Sequence, residues 1–254
     1  MKIVVVINNK GGVGKTTSAV NIAAWCARFG HKTLLADFDP SAGASRHLGF
    51  GPGAGRVKTL CDYLVDASHD LSAAIHPAGD EQLFCLPAEP SLADFYLEVA
   101  EDAAEAFFIS REQIPQEFDL VICDCPPNMG PLAMNALAIA DYALIPVQAQ
   151  YLAVAGLEVT DDMLSKARRH LNPRLRTLGY FVTHFDRRTR SAAEVYDTLK
   201  QRYGDLLLPT VIGMNIKLAE AARAGEPILR YAPSARGALE YGELTRALLA
   251  RMQD

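Results

Sequence analysis

Long apolar runs are missing from this chain of 254 residues: half of them are apolar, yet no stretch reaches the roughly 18 uninterrupted apolar residues that a membrane-spanning helix needs. No leader of the secretory kind precedes the first strand-like segment, so a cytoplasmic location is expected. The five cysteines (Cys26, Cys61, Cys85, Cys123, Cys125) are odd in number, which argues against a disulfide framework and for buried, reduced thiols. The six histidines have no metal-ligand spacing, and neither a Ser-His-Asp nor a Cys-His arrangement is evident, so nucleophilic catalysis by such a set is not expected. Positive charge is scarce in one part and abundant in the other. Residues 1–165 hold 9 Lys+Arg against 21 Asp+Glu, and residues 166–254 hold 16 against 9. That asymmetry, hidden inside a net charge of −5, points to an anionic partner for the C-terminal part.

What is present is concentrated in one turn. Met1 to Ile7 reads as a buried strand, a β-branched run stopped by Asn8-Asn9. A helix pattern starts at Thr16 or Thr17 and runs to Phe29, with Gly30 as its C-cap. Between them lies Lys10-Gly11-Gly12-Val13-Gly14-Lys15-Thr16-Thr17. The glycines let the backbone turn its N–H groups inward, and the helix N-terminus adds partial positive charge at the same point, so the turn suits a polyphosphate. In such loops the lysine, here Lys15, reaches the β and γ phosphates, the Thr16 hydroxyl ligates Mg²⁺, and Thr17 sits near the α phosphate. Position 9 is Asn where the common G-x-x-x-x-G-K-[ST] loop has Gly, and Lys10 has no role in that common loop.

The remaining pattern alternates. Strands are expected at 31–38, 82–86, 118–123, 142–147, 177–183 and 206–211, and helices at 59–65, 91–108, 131–140, 155–170, 191–203, 216–224 and 235–252, with a polar loop over about 40–58. Such alternation predicts one α/β domain over 1–254, a mostly parallel twisted sheet with helices on both faces, and ligands at the carboxyl ends of the strands. Asp124, after the apolar run Leu120-Val121-Ile122-Cys123, has the setting of a carboxylate that holds Mg²⁺. Asp37 and Asp39 end the second strand on one face. Arg187, Arg188 and Arg190 share a turn and are followed by Lys217, Arg223, Arg230 and Arg236. Arginines without interleaved aromatics favour phosphate contact over base stacking, so any nucleic-acid binding should be non-specific and salt-sensitive. Asn215 is placed to cap the helix at 216–224.

The stretch KGGVGKTT resembles the deviant Walker A motif of the ParA/MinD family of partition and positioning ATPases. FDLVICDCPP is similar to that family's hydrophobic-D-x-P-P element, and the likeness extends along nearly the whole chain. The resemblance implies a P-loop NTPase fold and slow, Mg²⁺-dependent ATP hydrolysis. It also implies an ATP-sandwich homodimer in which Lys10 crosses to the partner's phosphates, with Gly11, Gly12, Val13, Gly14, Lys15, Thr16 and Thr17 around the nucleotide. Asp39 would orient the attacking water, Asp37 would lie near the Mg²⁺ shell, and Asn215 would meet adenine. Arg188 and Lys217 would lie on a face for non-specific double-stranded DNA, with Arg187 and Arg190 beside them, and a ParB-like activator would trigger hydrolysis on the nucleoid. Ser41 replaces the glutamine of the family's D-x-D-P-Q, and Gly213-Met214 replace the Pro-Arg before Asn215. Because the Walker strand begins at Met1, the N-terminal helix-turn-helix of some relatives is not expected. A MinD-like membrane cycle would need a basic amphipathic C-terminal helix, and the tail Leu244 to Asp254 instead has two arginines after Thr245 and ends acidic. A P-loop metabolic enzyme, or a reductase-type relative with an iron–sulfur cluster between subunits, is the further alternative.

Overall fold

Seven strands form one sheet in the order β3-β4-β2-β5-β1-β6-β7 in the computed structural model, which describes residues 1–51, 55–66, 70–94, 109–128 and 130–253. The strands are β1 Lys2–Val6, β2 Thr33–Asp37, β3 His76–Asp80, β4 Leu83–Leu86, β5 Leu120–Asp124, β6 Tyr142–Gln148 and β7 Arg176–Thr183. All neighbours pair in parallel except β3, which runs antiparallel to β4 at one edge. The described helices are α1 Lys15–Arg28, α2 Gly43–His47, α3 Leu60–Val65, α4 Pro131–Ile139, α5 Tyr151–Ala155, α6 Leu157–His170, α7 Arg190–Tyr203, α8 Ile216–Ala224, α9 Ile228–Tyr231 and α10 Arg236–Arg251.

The central strands are apolar on both sides because both sides are covered. Ile3, Val5 and Ile7 enter one core with Val121, Cys123, Leu137, Leu157 and Leu164, whereas Val4 and Val6 enter the other with Val20, Ile122, Leu144, Tyr241, Leu244 and Leu248. All five cysteines are free and buried, and burial pushes the Cys26 and Cys123 thiols up to about 12, so they serve as small apolar groups.

Three expectations need correction. The segment 206–211 is not a strand: a 3₁₀ turn at Gly204–Leu206 leads into an extended stretch that meets β7 through an isolated bridge, Leu207 with Tyr180, and again where the Ile212 N–H donates to the Val182 carbonyl. Pro209 has no N–H, so a continuous ladder cannot form through it. The polar loop at 40–58 contains the helix α2, and the helix expected over 155–170 begins at Leu157 after the separate short helix α5. Strand β3 was not expected, its sequence His-Pro-Ala-Gly-Asp having neither β-branched residues nor alternation. The helix expected at 91–108 lies mostly outside the described residues.

Candidate functional site

Register brings the acidic strand ends together. Asp124 pairs with Val6, the last residue of β1, and with Asp37, the last of β2. β1 leads straight into the glycine-rich turn, so the turn and both carboxylates share one rim. Gly12 and Gly14 have left-handed φ of 74° and 87°, a conformation that side chains resist. A Cβ at Gly11 or Gly12 would meet open space, which leaves the backbone of the turn accessible to a ligand. Helix α1 starts at Lys15 with no side-chain cap and no acid in its first turn, so its first N–H groups are left for an anion.

The turn is braced from outside itself. Thr183, ending β7, donates its hydroxyl to the Val13 carbonyl at 2.9 Å. Thr160 on α6 donates to Asn9 Oδ1 at 3.1 Å and accepts from the Asn9 N–H at 3.3 Å, and Asn8 Nδ2 donates to the Pro146 carbonyl at 2.9 Å. Lys15 is buried, and its ammonium donates to the Lys10 carbonyl at 3.0 Å. Burial lowers its pKa, opposed by the charges of Asp124 and then Asp39. The Lys10 backbone N–H is held by Asn8 Oδ1 at 2.9 Å, whereas the Lys10 ammonium makes no hydrogen bond or ion pair among the described residues.

Asp124 is fully buried, and both its oxygens lack a hydrogen-bond partner among the described residues. Burial first, then the charge of Asp37, push its carboxyl well above the usual range, while the adjacent Thr16 hydroxyl and Lys15 pull the other way. A buried carboxylate without partners is costly. An oxygen-seeking cation beside Asp124 and the Thr16 hydroxyl would remove that cost, and this donor chemistry fits Mg²⁺. Asp37 is engaged differently: Oδ1 accepts from the Asp39 N–H at 3.0 Å, and Oδ2 accepts from the Ser45 N–H at 2.8 Å and the Ser45 hydroxyl at 2.6 Å. Burial raises its pKa, and these donors resist the rise. Its carboxylate therefore braces α2 from beside Asp124. Asp39 is half-buried, and its Oδ1 accepts from the Ser41 N–H at 2.8 Å, closing a turn that keeps it on the rim.

Next to the turn, Gly14, Thr17, Thr183, His184, Met214 and Asn215 are among the residues lining a cavity of about 450 Å³. Asn215 Oδ1 caps α8 by accepting from the Lys217 N–H at 2.9 Å, so its capping role and a place in the cavity coexist. The basic residues carry their own counter-charges. Arg188 forms a two-pronged pair with Asp186 (2.9 and 2.8 Å), Arg187 lies 3.6 Å from Glu240, and Lys217 lies 2.6 Å from Glu220. Arg190 opens α7 and is exposed. Asn8, Ser45, Gln148, Thr160, Thr183 and His184 were missed by sequence reasoning. Thr183 and His184 had a signal, being polar residues at the carboxyl end of an expected strand; Thr160 and Ser45 had none, since each reaches its partner only through the fold.

The family model described as AAA domain matches residues 1–177. The chain is 40% identical over 248 residues to the chromosome-partitioning ATPase Soj of Thermus thermophilus, covering 97% of this chain and 95% of that protein. The chain belongs to the ParA/MinD family. Among curated members, the sporulation initiation inhibitor protein Soj of Bacillus subtilis is 36% identical, with 98% of both chains covered. Among solved structures similar to this ParA/MinD chain is cobyrinic acid a,c-diamide synthase from Mycobacterium smegmatis, with bound ATP analogue and magnesium. It has a TM-score of 0.84 at 29% identity, covering 100% of this chain and 96% of that one. The cell division ATPase MinD of Pyrococcus furiosus, with a TM-score of 0.78 at 23% identity over 98% of each chain, shares the fold.

Proposed function

We propose that this chain is a partition-type ATPase. ATP binding drives self-association, the dimer binds double-stranded DNA without sequence preference, and an activator of the ParB kind triggers hydrolysis and release. Its setting would be the cytoplasm, on the nucleoid, as a single domain over 1–254. The observation that carries this reading is the Lys10 ammonium, unengaged among the described residues, on a turn whose other lysine is already buried beside Asp124. Kinship to partition ATPases at up to 40% identity supports the same assignment.

Phosphoryl transfer to water asks for positioning and charge neutralisation. In this reading Lys15 and the α1 N-terminus hold the β and γ phosphates, Asp39 orients the attacking water, and Lys10 of a second copy adds positive charge to the γ phosphate. Asp124 and the Thr16 hydroxyl would hold Mg²⁺, which when bound would add to the neutralisation of the phosphate oxygens. Tying the site's completion to a second copy links dimer lifetime to ATP.

A membrane cycle is disfavoured, because α10 buries Tyr241, Leu244 and Leu248 in the core beneath α1, leaving that apolar face no lipid to meet. Among the described residues no helix is long and apolar enough to cross a membrane. Lys10→Ala is expected to abolish both ATP hydrolysis and ATP-dependent dimerisation while nucleotide binding through Lys15 persists. Light scattering with a non-hydrolysable ATP analogue decides the matter: dimers formed by the variant as readily as by the wild type refute the cross-subunit role.

A further inference from the structure

His184 has an unusual backbone. It is one of two described non-glycine residues with positive φ, at 52°, a conformation that is uncommon outside glycine and is tolerated by histidine better than by most residues. Its neighbours hold it there. Thr183 gives its hydroxyl to Val13 and its carbonyl to the Ala149 N–H, and the Phe185 N–H donates to the Ile212 carbonyl at 3.0 Å. Strain of this kind persists where the surroundings fix it, and it concentrates at functional sites.

The turn at 184 brings the imidazole to the wall of the cavity that begins at Gly14 and Thr17. Nε2 stands 3.9 Å from the position a Cβ on Gly14 would take. Nδ1 lies 3.3 Å from Gln148 Nε2. With the amide N–H donating to Nδ1, the ring proton resides on Nε2. Ile212, Met214, Ile216 and Leu218 give the cavity apolar wall, and Thr17, Thr183, Asn215 and Tyr241 are polar residues along the same lining. It therefore offers a flat aromatic ligand apolar walls to lie against and an imidazole beside the phosphate turn.

We propose that His184 is a base-contacting residue of this chain, its Nε2–H donating to an acceptor nitrogen of the nucleotide's base and so contributing to base selectivity. The assignment rests on the nucleotide reading of the glycine-rich turn. His184 is exposed at the cavity mouth, and partial desolvation of the ring lowers its pKa from the usual imidazole value.

The test compares two ligands, ATP and inorganic tripolyphosphate, by calorimetric titration. Losing one neutral hydrogen bond of about 1 kcal/mol corresponds to about fivefold in affinity. His184→Ala is expected to raise the Kd for ATP by about fivefold to tenfold and leave tripolyphosphate binding unchanged. His184→Gln, which keeps an N–H donor, should recover most of the loss. If the two ligands weaken in parallel, His184 merely braces the turn, and if neither changes, it makes no contact; either result overturns the proposal. Should the alanine variant unfold early in a thermal scan, His184→Gly, which accepts the positive φ without strain, replaces it with the same expected outcomes. Wild-type protein that binds neither ligand would defeat the nucleotide reading itself, a result distinct from variants that match a binding wild type.

Discussion

His47 shows how a single residue can make stability depend on pH. It is buried in α2, its Nε2 has no hydrogen-bond partner among the described residues, and its pKa is lowered to about 4, chiefly by burial and against a hydrogen bond to the Glu226 backbone. The unfolded chain takes up this proton near pH 6.5 and the folded chain only near 4, so in that window the unfolded state binds more protons and stability rises with pH. The contribution is complete above about pH 6.5 and is lost as the pH falls toward 4. From pH 7.5 to 5 the loss from this residue should be about 2 kcal/mol. Urea unfolding at the two pH values checks it: His47→Leu should flatten that part of the profile, and an unchanged slope would show that other groups set it. At the same scale, Asp37 and Asp124 look alike in sequence but differ in surroundings, one carboxylate held by Ser45 and Asp39 and the other without a hydrogen-bond partner among the described residues.

Among the elements, the contact of α1 with α10 is unusually close. A Cβ on Gly242 would stand 2.9 Å from the Trp25 ring, whose indole N–H donates to the Ala238 carbonyl at 2.9 Å. Helix propensity alone favours Gly242→Ala by about 1 kcal/mol, whereas overpacking of this kind costs about 1 to 3 kcal/mol. The steric term wins, and Gly242→Ala should lower the unfolding midpoint. Because Trp25 is the single tryptophan, its fluorescence should report the displacement, and a variant more stable than the wild type would show that the helices separate freely. Element boundaries were readable where periodicity was long, as in α1, α7 and α10. They were not readable for α2, a helix of five residues, which is too short to hold itself without tertiary support. That support comes from Ser45, whose N–H and hydroxyl both bond to Asp37, eight residues back.

Taken as a whole, the molecule gathers the phosphate turn, the acidic strand ends and the start of the arginine-rich stretch after β7 at the carboxyl ends of its parallel strands. Within the isolated chain Arg187, Arg188 and Lys217 are each paired with an acid of this same chain. The Arg188–Asp186 and Lys217–Glu220 pairs are exposed and weakened by solvent, so phosphates can replace those two acids, whereas the Glu240 that Arg187 approaches is buried. Arg188→Glu is expected to abolish retention on a short mixed-sequence duplex while ATP-driven dimers persist. For the wild type, the logarithm of affinity should fall steeply between 50 and 200 mM salt, by roughly 0.9 log unit per log unit of salt for each phosphate neutralised. Anisotropy titrations at the two salt concentrations read both effects, and undiminished binding by the variant would remove Arg188 from the DNA face.

The sequence by itself determined the phosphate turn, its strand-to-helix setting, the parallel alternation and the polarity of the two parts of the chain, because each depends on residues close together or on short-period patterns. Tertiary structure alone decided that Asp124 ends between Val6 and Asp37, that Thr160 and Thr183 brace a turn more than 140 residues away, and that His184 turns into the cavity beside Gly14. These depend on strand order and register, which bring distant residues together through backbone pairing that no local pattern encodes.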